Sequence, residues 1–109
     1  MGLTTVAPRA LHALLARGAV HVYDVNSAPS WREARVPGAR HLDPETYAAA
    51  DLGAATDAML VFYCSGPLCR KAPNAARRAQ RMGYADVRVM AAGLRGWLDA
   101  GLPVERGAA

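Results

Sequence analysis

Met59-Leu60-Val61-Phe62-Tyr63 is the most apolar run in the chain, and Cys64-Ser65-Gly66-Pro67-Leu68-Cys69-Arg70 follows it directly. Five apolar residues closed by a Gly-Pro pair are too short for a helix and read as a buried central strand. Arg70 to Met82 then has helical spacing. Ala72, Ala75, Ala76 and Ala79 fall on one small-residue face, and Arg77, Arg78, Gln80 and Arg81 fall on a solvated one. Gly83 is placed to end that helix. The stretch therefore reads strand, loop, helix, and the loop holds both cysteines of the chain.

The same alternation extends in both directions. Ala7 to Arg17 reads as a helix, with Pro8 in its first turn, Leu11, Leu14 and Leu15 on one face, and Gly18 at its stop. Ala19 to Val25 is an apolar run ending near Asp24 and reads as a second buried strand. Ser30-Trp31-Arg32-Glu33 has the spacing of a capping box at a short helix start. A short strand is expected over Ala39 to Leu42. A short helix is expected over Pro44 to Ala50, with Asp43 as its cap. Asp86 to Met90 reads as a strand and Gly93 to Ala100 as a last helix carrying Leu94, Trp97 and Leu98. Strands separated by helical segments imply parallel pairing through right-handed crossovers. The expected class is α/β: one domain over residues 1–109, a small parallel sheet of four to five strands, and helices on both faces. Ligands of such sheets sit outside the carboxyl ends of the strands, which points to the loop after Tyr63.

Composition narrows the functional classes. The 109 residues are 52% hydrophobic, enough for a core. Two cysteines five positions apart are no disulfide framework, and they are too few for a structural zinc site unless His12, His21 or His41 joins them. No run is long and apolar enough to span a membrane, and Met1 to Ala7 lacks the pattern of a signal peptide. A reducing cytoplasm is the expected compartment. The net charge is +4, with a local cluster at Arg70, Lys71, Arg77, Arg78 and Arg81. No aromatic residues interleave with that cluster, so nucleic-acid binding is not expected.

Three effects converge on Cys64. A strand-to-helix loop can turn backbone N–H groups inward. The following helix directs its positive end to the same place. Arg70 adds a fixed charge. All three favour a thiolate, so the Cys64 pKa is expected to fall below that of a free cysteine and its sulfur to act as a nucleophile. The bland alternative is a small buried hydrophobe at a strand end.

These residues carry a resemblance. Tyr23-Asp24-Val25, Val36-Pro37-Gly38-Ala39, the loop from Tyr63-Cys64 to Arg70, Gly83-Tyr84 before Val87-Arg88-Val89, and Ala92-Gly93, Trp97 and Gly101-Leu102-Pro103-Val104 occur in the order and spacing of the rhodanese-like domain. The chain resembles a single-domain sulfurtransferase of that family over nearly its whole length. The resemblance implies that Cys64 attacks a sulfane sulfur, as in thiosulfate, and becomes a persulfide. Cyanide, a thiol or a protein acceptor would then take the sulfur. It implies that backbone N–H groups of Ser65, Gly66, Pro67, Leu68, Cys69 and Arg70, proline excepted, surround the sulfur, that Arg70 binds the anionic donor, and that no metal or organic cofactor is required.

Several positions depart from the family pattern. Asn26 stands where arginine usually follows Asp-Val, and Ala34-Arg35-Val36 replaces Gly-His-Ile. The basic residue usually lies five positions after the cysteine. Here Cys69 holds that place, and the spacing is Cys-x5-Arg. That spacing is similar to the longer loops of dual-specificity phosphatases and arsenate reductases on this fold, which cradle a tetrahedral oxyanion. A phosphatase or arsenate reductase is therefore one alternative, and a non-catalytic binding or regulatory module is another. Against the first stand Gly66-Pro67, Cys69, and Tyr63 in place of the histidine that usually precedes the cysteine.

Cys69 has three readings: a resolving thiol, a sulfur relay, or a packing residue. A disulfide to Cys64 needs Cα atoms within about 7 Å. Asp24 reads as structural, Trp97 as core and Trp31 as part of a pocket rim. His12, His21 and His41 form no evident pair with Cys64, and Arg35 and Arg40 read as solvated surface charge.

Overall fold

In a computed structural model that describes residues 2–107, five strands form one sheet in the order β1-β5-β4-β2-β3, every pair parallel. The elements are β1 (Thr4–Thr5), α1 (Pro8–Ala16), β2 (His21–Asp24), α2 (Ala28–Glu33), β3 (Arg40–His41), α3 (Ala49–Leu52), β4 (Met59–Tyr63), α4 (Lys71–Arg81), β5 (Asp86–Val89) and α5 (Gly93–Asp99). This is the expected α/β class, with β4 at the centre of the sheet.

The two-residue period of β4 divides the core. Leu60, Phe62 and Cys64 join Tyr23, Val87, Val89 and the alanine face of α4. Val61 and Tyr63 point the other way and join Leu11 of α1 and Trp97 of α5. A strand covered on both faces has no solvated side, which is why 59–63 is apolar without alternation. The alanines at 72, 75, 76 and 79 are buried, and their small size lets α4 lie close to the sheet.

Elements end where the chain chemistry stops them, with three departures from the sequence reading. First, α2 begins before Ser30: the Ser27 hydroxyl accepts the Ser30 N–H at 3.4 Å, and Pro29 lies in the first turn. Second, Pro44 to Ala50 does not form the expected helix. Asp43 Oδ1 accepts the N–H groups of Glu45 at 2.9 Å and Thr46 at 3.2 Å, which closes a turn. Tyr47 then swings inward, its hydroxyl donating to the Ala75 carbonyl at 2.6 Å. The helix α3 forms only at Ala49–Leu52, where Asp51 accepts the Ala48 N–H at 2.8 Å. Third, β1 was not expected, because Thr4 and Thr5 are exposed edge residues with no apolar signature.

Arg35 corrects another expectation. It is buried rather than solvated, and its guanidinium lies 4.3 Å from the Trp31 ring centroid. It donates to the carbonyls of Trp31 at 3.0 Å and Gly107 at 2.8 Å. Arg40 is exposed as expected and donates to the Asp51 carbonyl at 3.2 Å.

A polar node pins the two central strands where they leave the sheet. Tyr63 Oη donates to Asp24 Oδ2 at 2.6 Å and accepts the Val36 N–H at 3.0 Å. Asp24 Oδ1 accepts the Asn26 N–H at 2.8 Å. Asp24 is wholly buried, and that burial raises its pKa despite the hydrogen bonds from Tyr63 and Asn26. The protonated carboxyl is thus favoured by folding. The stability it contributes is complete below the ordinary carboxylate pKa and is lost as the pH rises through the raised one. Replacing Tyr63 with Phe should leave the Asp24 oxygen and the Val36 N–H unpaired and lower stability by about 1–3 kcal/mol. Urea unfolding at neutral pH checks this, and an unchanged midpoint would show that the node contributes nothing.

Candidate active site

Cys64 lies one residue beyond β4, on the α4 side of the sheet, and is buried. The chain leaves β4 through Ser65-Gly66-Pro67-Leu68, and a turn closed by the Cys69 N–H on the Gly66 carbonyl (3.1 Å) brings Cys69 back toward Cys64. Leu68, at the outside of that turn, is 94% exposed and has no part in a cradle. The Cys64 thiol reaches the Cys69 carbonyl oxygen at 3.6 Å and also hydrogen-bonds the Cys69 sulfur.

The start of α4 supplies the backbone donors. Its first two N–H groups belong to Lys71 and Ala72. That of Lys71 hydrogen-bonds the Cys69 sulfur and that of Ala72 the Cys64 sulfur. The third position is Pro73, which has no N–H to satisfy, and the Asn74 N–H returns to the Arg70 carbonyl at 3.1 Å. The free donors of this helix start are thereby directed at two sulfurs. The Ser65 N–H approaches both of them, and the Ser65 hydroxyl adds a bond to Cys69.

The second helix start holds the loop itself. The Leu94 N–H donates to the Cys64 carbonyl at 2.9 Å and the Arg95 N–H to the Ser65 carbonyl at 3.0 Å. Between them and the loop lies Gly93, at φ +65°. A Cβ there would come within 2.5 Å of the Gly66 nitrogen and 2.7 Å of the Ser65 carbonyl carbon. Composition and periodicity do not reveal this contact. Its signal was the glycine at the start of the last helix.

The electrostatics depart from the expected depressed pKa at Cys64. Burial pushes the Cys64 thiol up to about 11, its hydrogen bond with Cys69 adds to that, and the N–H groups of Ala72 and Ser65 only partly offset it. Arg70 is exposed and is not among the main influences on the sulfur. Burial also opposes the Cys69 thiolate, but more weakly. The hydrogen bonds from Cys64, Lys71 and Ser65 outweigh it and hold the Cys69 thiol below its ordinary value. The pair therefore keeps its more tightly bound proton on Cys64 and shares it with a more acidic neighbour.

Two spaces open at this end of the sheet. A pocket of about 40 Å³ is lined by Cys64, Gly66, Pro67, Cys69, Ala72, Pro73 and the 89–91 segment. A larger cleft of about 490 Å³ lies beside Ser65, between Asn26, Ser30, Glu33, Leu94, Arg95 and Arg106. Trp31 does not line that cleft. It stacks on His41 with 5.0 Å between ring centroids, and His41 Nε2 lies 2.7 Å from the Asn26 carbonyl oxygen. Trp97 is core, as expected. Among the described residues, no cluster of three or more His, Cys, Asp or Glu side chains is arranged to hold a metal ion. No helix among them is long and apolar enough to cross a membrane.

A cysteine at the carboxyl end of a central parallel strand, under one helix start and clamped by another, defines a class of α/β domain built around a thiol loop. The family model of the rhodanese-like domain matches residues 7–100, and the chain belongs to that family. An HTH-type transcriptional regulator of Mycobacterium tuberculosis is 36% identical over 92 residues, which cover 84% of this chain and 40% of the regulator. The chain thus spans well under half of that relative's length. A Rhodopseudomonas palustris protein of unknown function, described as a "possible tyrosine phosphatase", superposes with a TM-score of 0.76 at 30% identity, over 94% of this chain and 85% of that one. A human single-domain sulfurtransferase superposes with a TM-score of 0.74 at 26% identity, over 90% of this chain and 97% of that one.

Gly93→Ala should destabilise the protein by about 1–3 kcal/mol, because the added Cβ meets rigid backbone at a positive φ. Thermal unfolding measures this, and an unchanged midpoint would show that the loop yields freely. Limited iodoacetamide at pH 7.5 should alkylate Cys69 before Cys64, by about tenfold in rate, since the thiolate is the nucleophile. The Cys64 rate should keep rising with pH toward its pKa of about 11. Fragment-ion mass spectrometry assigns the sites, and Cys64 reacting first would contradict the order.

Proposed function

We propose that the protein is a sulfurtransferase that carries a sulfane sulfur as a Cys64 persulfide. The observation that carries this reading is the approximately 40 Å³ pocket at the Cys64 sulfur, with N–H groups of Ser65 and Ala72 directed at that atom. A space of that size is on the scale of one or two water molecules and can take the one sulfur atom that a persulfide adds to Cys64. The family membership and the likeness to a human single-domain sulfurtransferase support the same reading.

Cys64 gives up its proton along its hydrogen bond to the Cys69 sulfur as its own sulfur attacks the outer sulfur of an anionic donor such as thiosulfate. The S–S bond of the donor breaks, sulfite leaves with the bonding pair, and Cys64 becomes a persulfide. The two N–H groups then stabilise the negative charge. Cyanide, a thiol or a protein acceptor removes the outer sulfur and restores the Cys64 thiolate. Arg70, exposed at the start of α4, is assigned to the anionic donor. Gly66, Pro67 and Cys69 line the pocket, Ser65 supplies its N–H to the sulfur, and Leu68 lies outside. No cofactor, nucleic acid or membrane has a part in this scheme. A reducing cytoplasm suits it, because both cysteines are free thiols.

Wild-type protein should form thiocyanate from thiosulfate and cyanide, and Cys64→Ala should lose at least about a thousandfold of that rate, as expected for removal of a covalent nucleophile. Equal rates in the two proteins would refute the assignment. Turnover of an aryl phosphate, or thiol-dependent arsenate reduction, would favour the oxyanion chemistry suggested by the Cys-x5-Arg spacing. A Cys64 inert to every sulfur donor would indicate a binding module.

A further inference from the structure

The mechanism above uses Cys64 as carrier and leaves a second thiol in contact with it. Cys69 lines the same 40 Å³ pocket, and its sulfur hydrogen-bonds the Cys64 sulfur. The Cys69–Gly66 turn holds it there, and the Cys69 carbonyl lies 3.6 Å from Cys64 Sγ. A packing residue would not need a hydroxyl and two backbone N–H groups aimed at its sulfur, yet Ser65 and Lys71 supply them. Those are groups that stabilise a nucleophilic thiolate. Passing from hydrogen-bond contact to a disulfide of about 2.05 Å is a short movement. The loop that must yield is exposed at Ser65, Pro67 and Leu68.

We propose that Cys69 resolves the Cys64 persulfide, releasing its sulfur as hydrosulfide and leaving a Cys64–Cys69 disulfide. The Cys69 sulfur, releasing the proton it took from Cys64, attacks Cys64 Sγ, the inner sulfur of the persulfide. A Cys64–Cys69 S–S bond forms, and the bond from Cys64 Sγ to the outer sulfur breaks. The outer sulfur leaves with the bonding pair and takes up the proton that Cys69 releases, departing as hydrosulfide. The sulfane sulfur is reduced by two electrons, and the two cysteines together are oxidised by two. An external dithiol reductant resets the pair by thiol–disulfide exchange. The protein would thus have two outlets: transfer to an acceptor, and discharge as hydrosulfide when no acceptor is present. This inference rests on the Cys64 carrier reading.

Single-turnover loading separates the two. Reduced wild-type protein, freed of small thiols and incubated with thiosulfate alone, should release about one hydrosulfide per chain. Its peptide containing both cysteines should lose 2 Da, which dithiothreitol reverses. Cys69→Ser and Cys69→Ala, loaded at pH 9, should instead retain a +32 Da adduct on Cys64 and release at least tenfold less hydrosulfide. Two replacements guard against a local folding defect in either one. A stable +32 Da adduct in the wild type, without hydrosulfide or disulfide, would overturn resolution by Cys69 and leave the carrier reading standing. Absence of any adduct in both Cys69 variants, with no hydrosulfide from the wild type, would overturn the carrier reading and the resolution step with it.

Discussion

Contact between the backbone of Ser65–Gly66 and the bare Cα of Gly93 sets how closely the last helix can approach the cysteine loop. That closeness puts the Leu94 and Arg95 N–H groups on the carbonyls of Cys64 and Ser65. With those carbonyls held from the α5 side, the Ser65 N–H and the start of α4 serve the sulfurs on the other side. The site is thus a loop gripped by two helix starts, one on its oxygens and one on its sulfurs. A side chain at 93 would separate them. The Asp24–Tyr63–Val36 node acts in the same direction by fixing the ends of β2 and β4, the strand from which the loop departs.

Helix starts and burial oppose one another at Cys64, and magnitude decides between them. Two backbone donors favour the thiolate, while the alanine face of α4 and the 89–90 segment remove water from it. Burial prevails. At Cys69, five residues on, similar donors act on a less buried sulfur, and they prevail. Adjacent thiols with opposite tendencies divide the roles of holding and releasing a proton.

Much of this was legible in the sequence. The uninterrupted apolar run at 59–63, the alanine face of α4 and the glycines after α1 and α4 announce a parallel α/β sheet whose chemistry lies after Tyr63. Local propensity failed where a side chain had a competing use. Asp43 closes a turn rather than capping a helix, and Tyr47 belongs to the core. Arg35 looked like surface charge but is enclosed by its near neighbour Trp31 and, across long chain separations, by Glu105 and Gly107. The Cys64 pKa was misread for a related reason. Spacing reveals that a sulfur sits at a helix start, but not how much apolar surface closes over it.

The Cys-x5-Arg spacing acquires a different meaning once the loop is seen in three dimensions. One more residue than a six-residue sulfurtransferase loop would widen the cradle if every N–H faced inward. Here the Cys69 N–H is taken by the Gly66 carbonyl, and Leu68 points outward. The additional residue is therefore absorbed in a turn, and Cys69 lines the pocket beside Cys64. The same turn leaves Arg70 exposed at the start of α4, where it is not among the main influences on Cys64. A long loop with a small pocket is the geometry expected if the extra length serves a second thiol rather than a larger substrate.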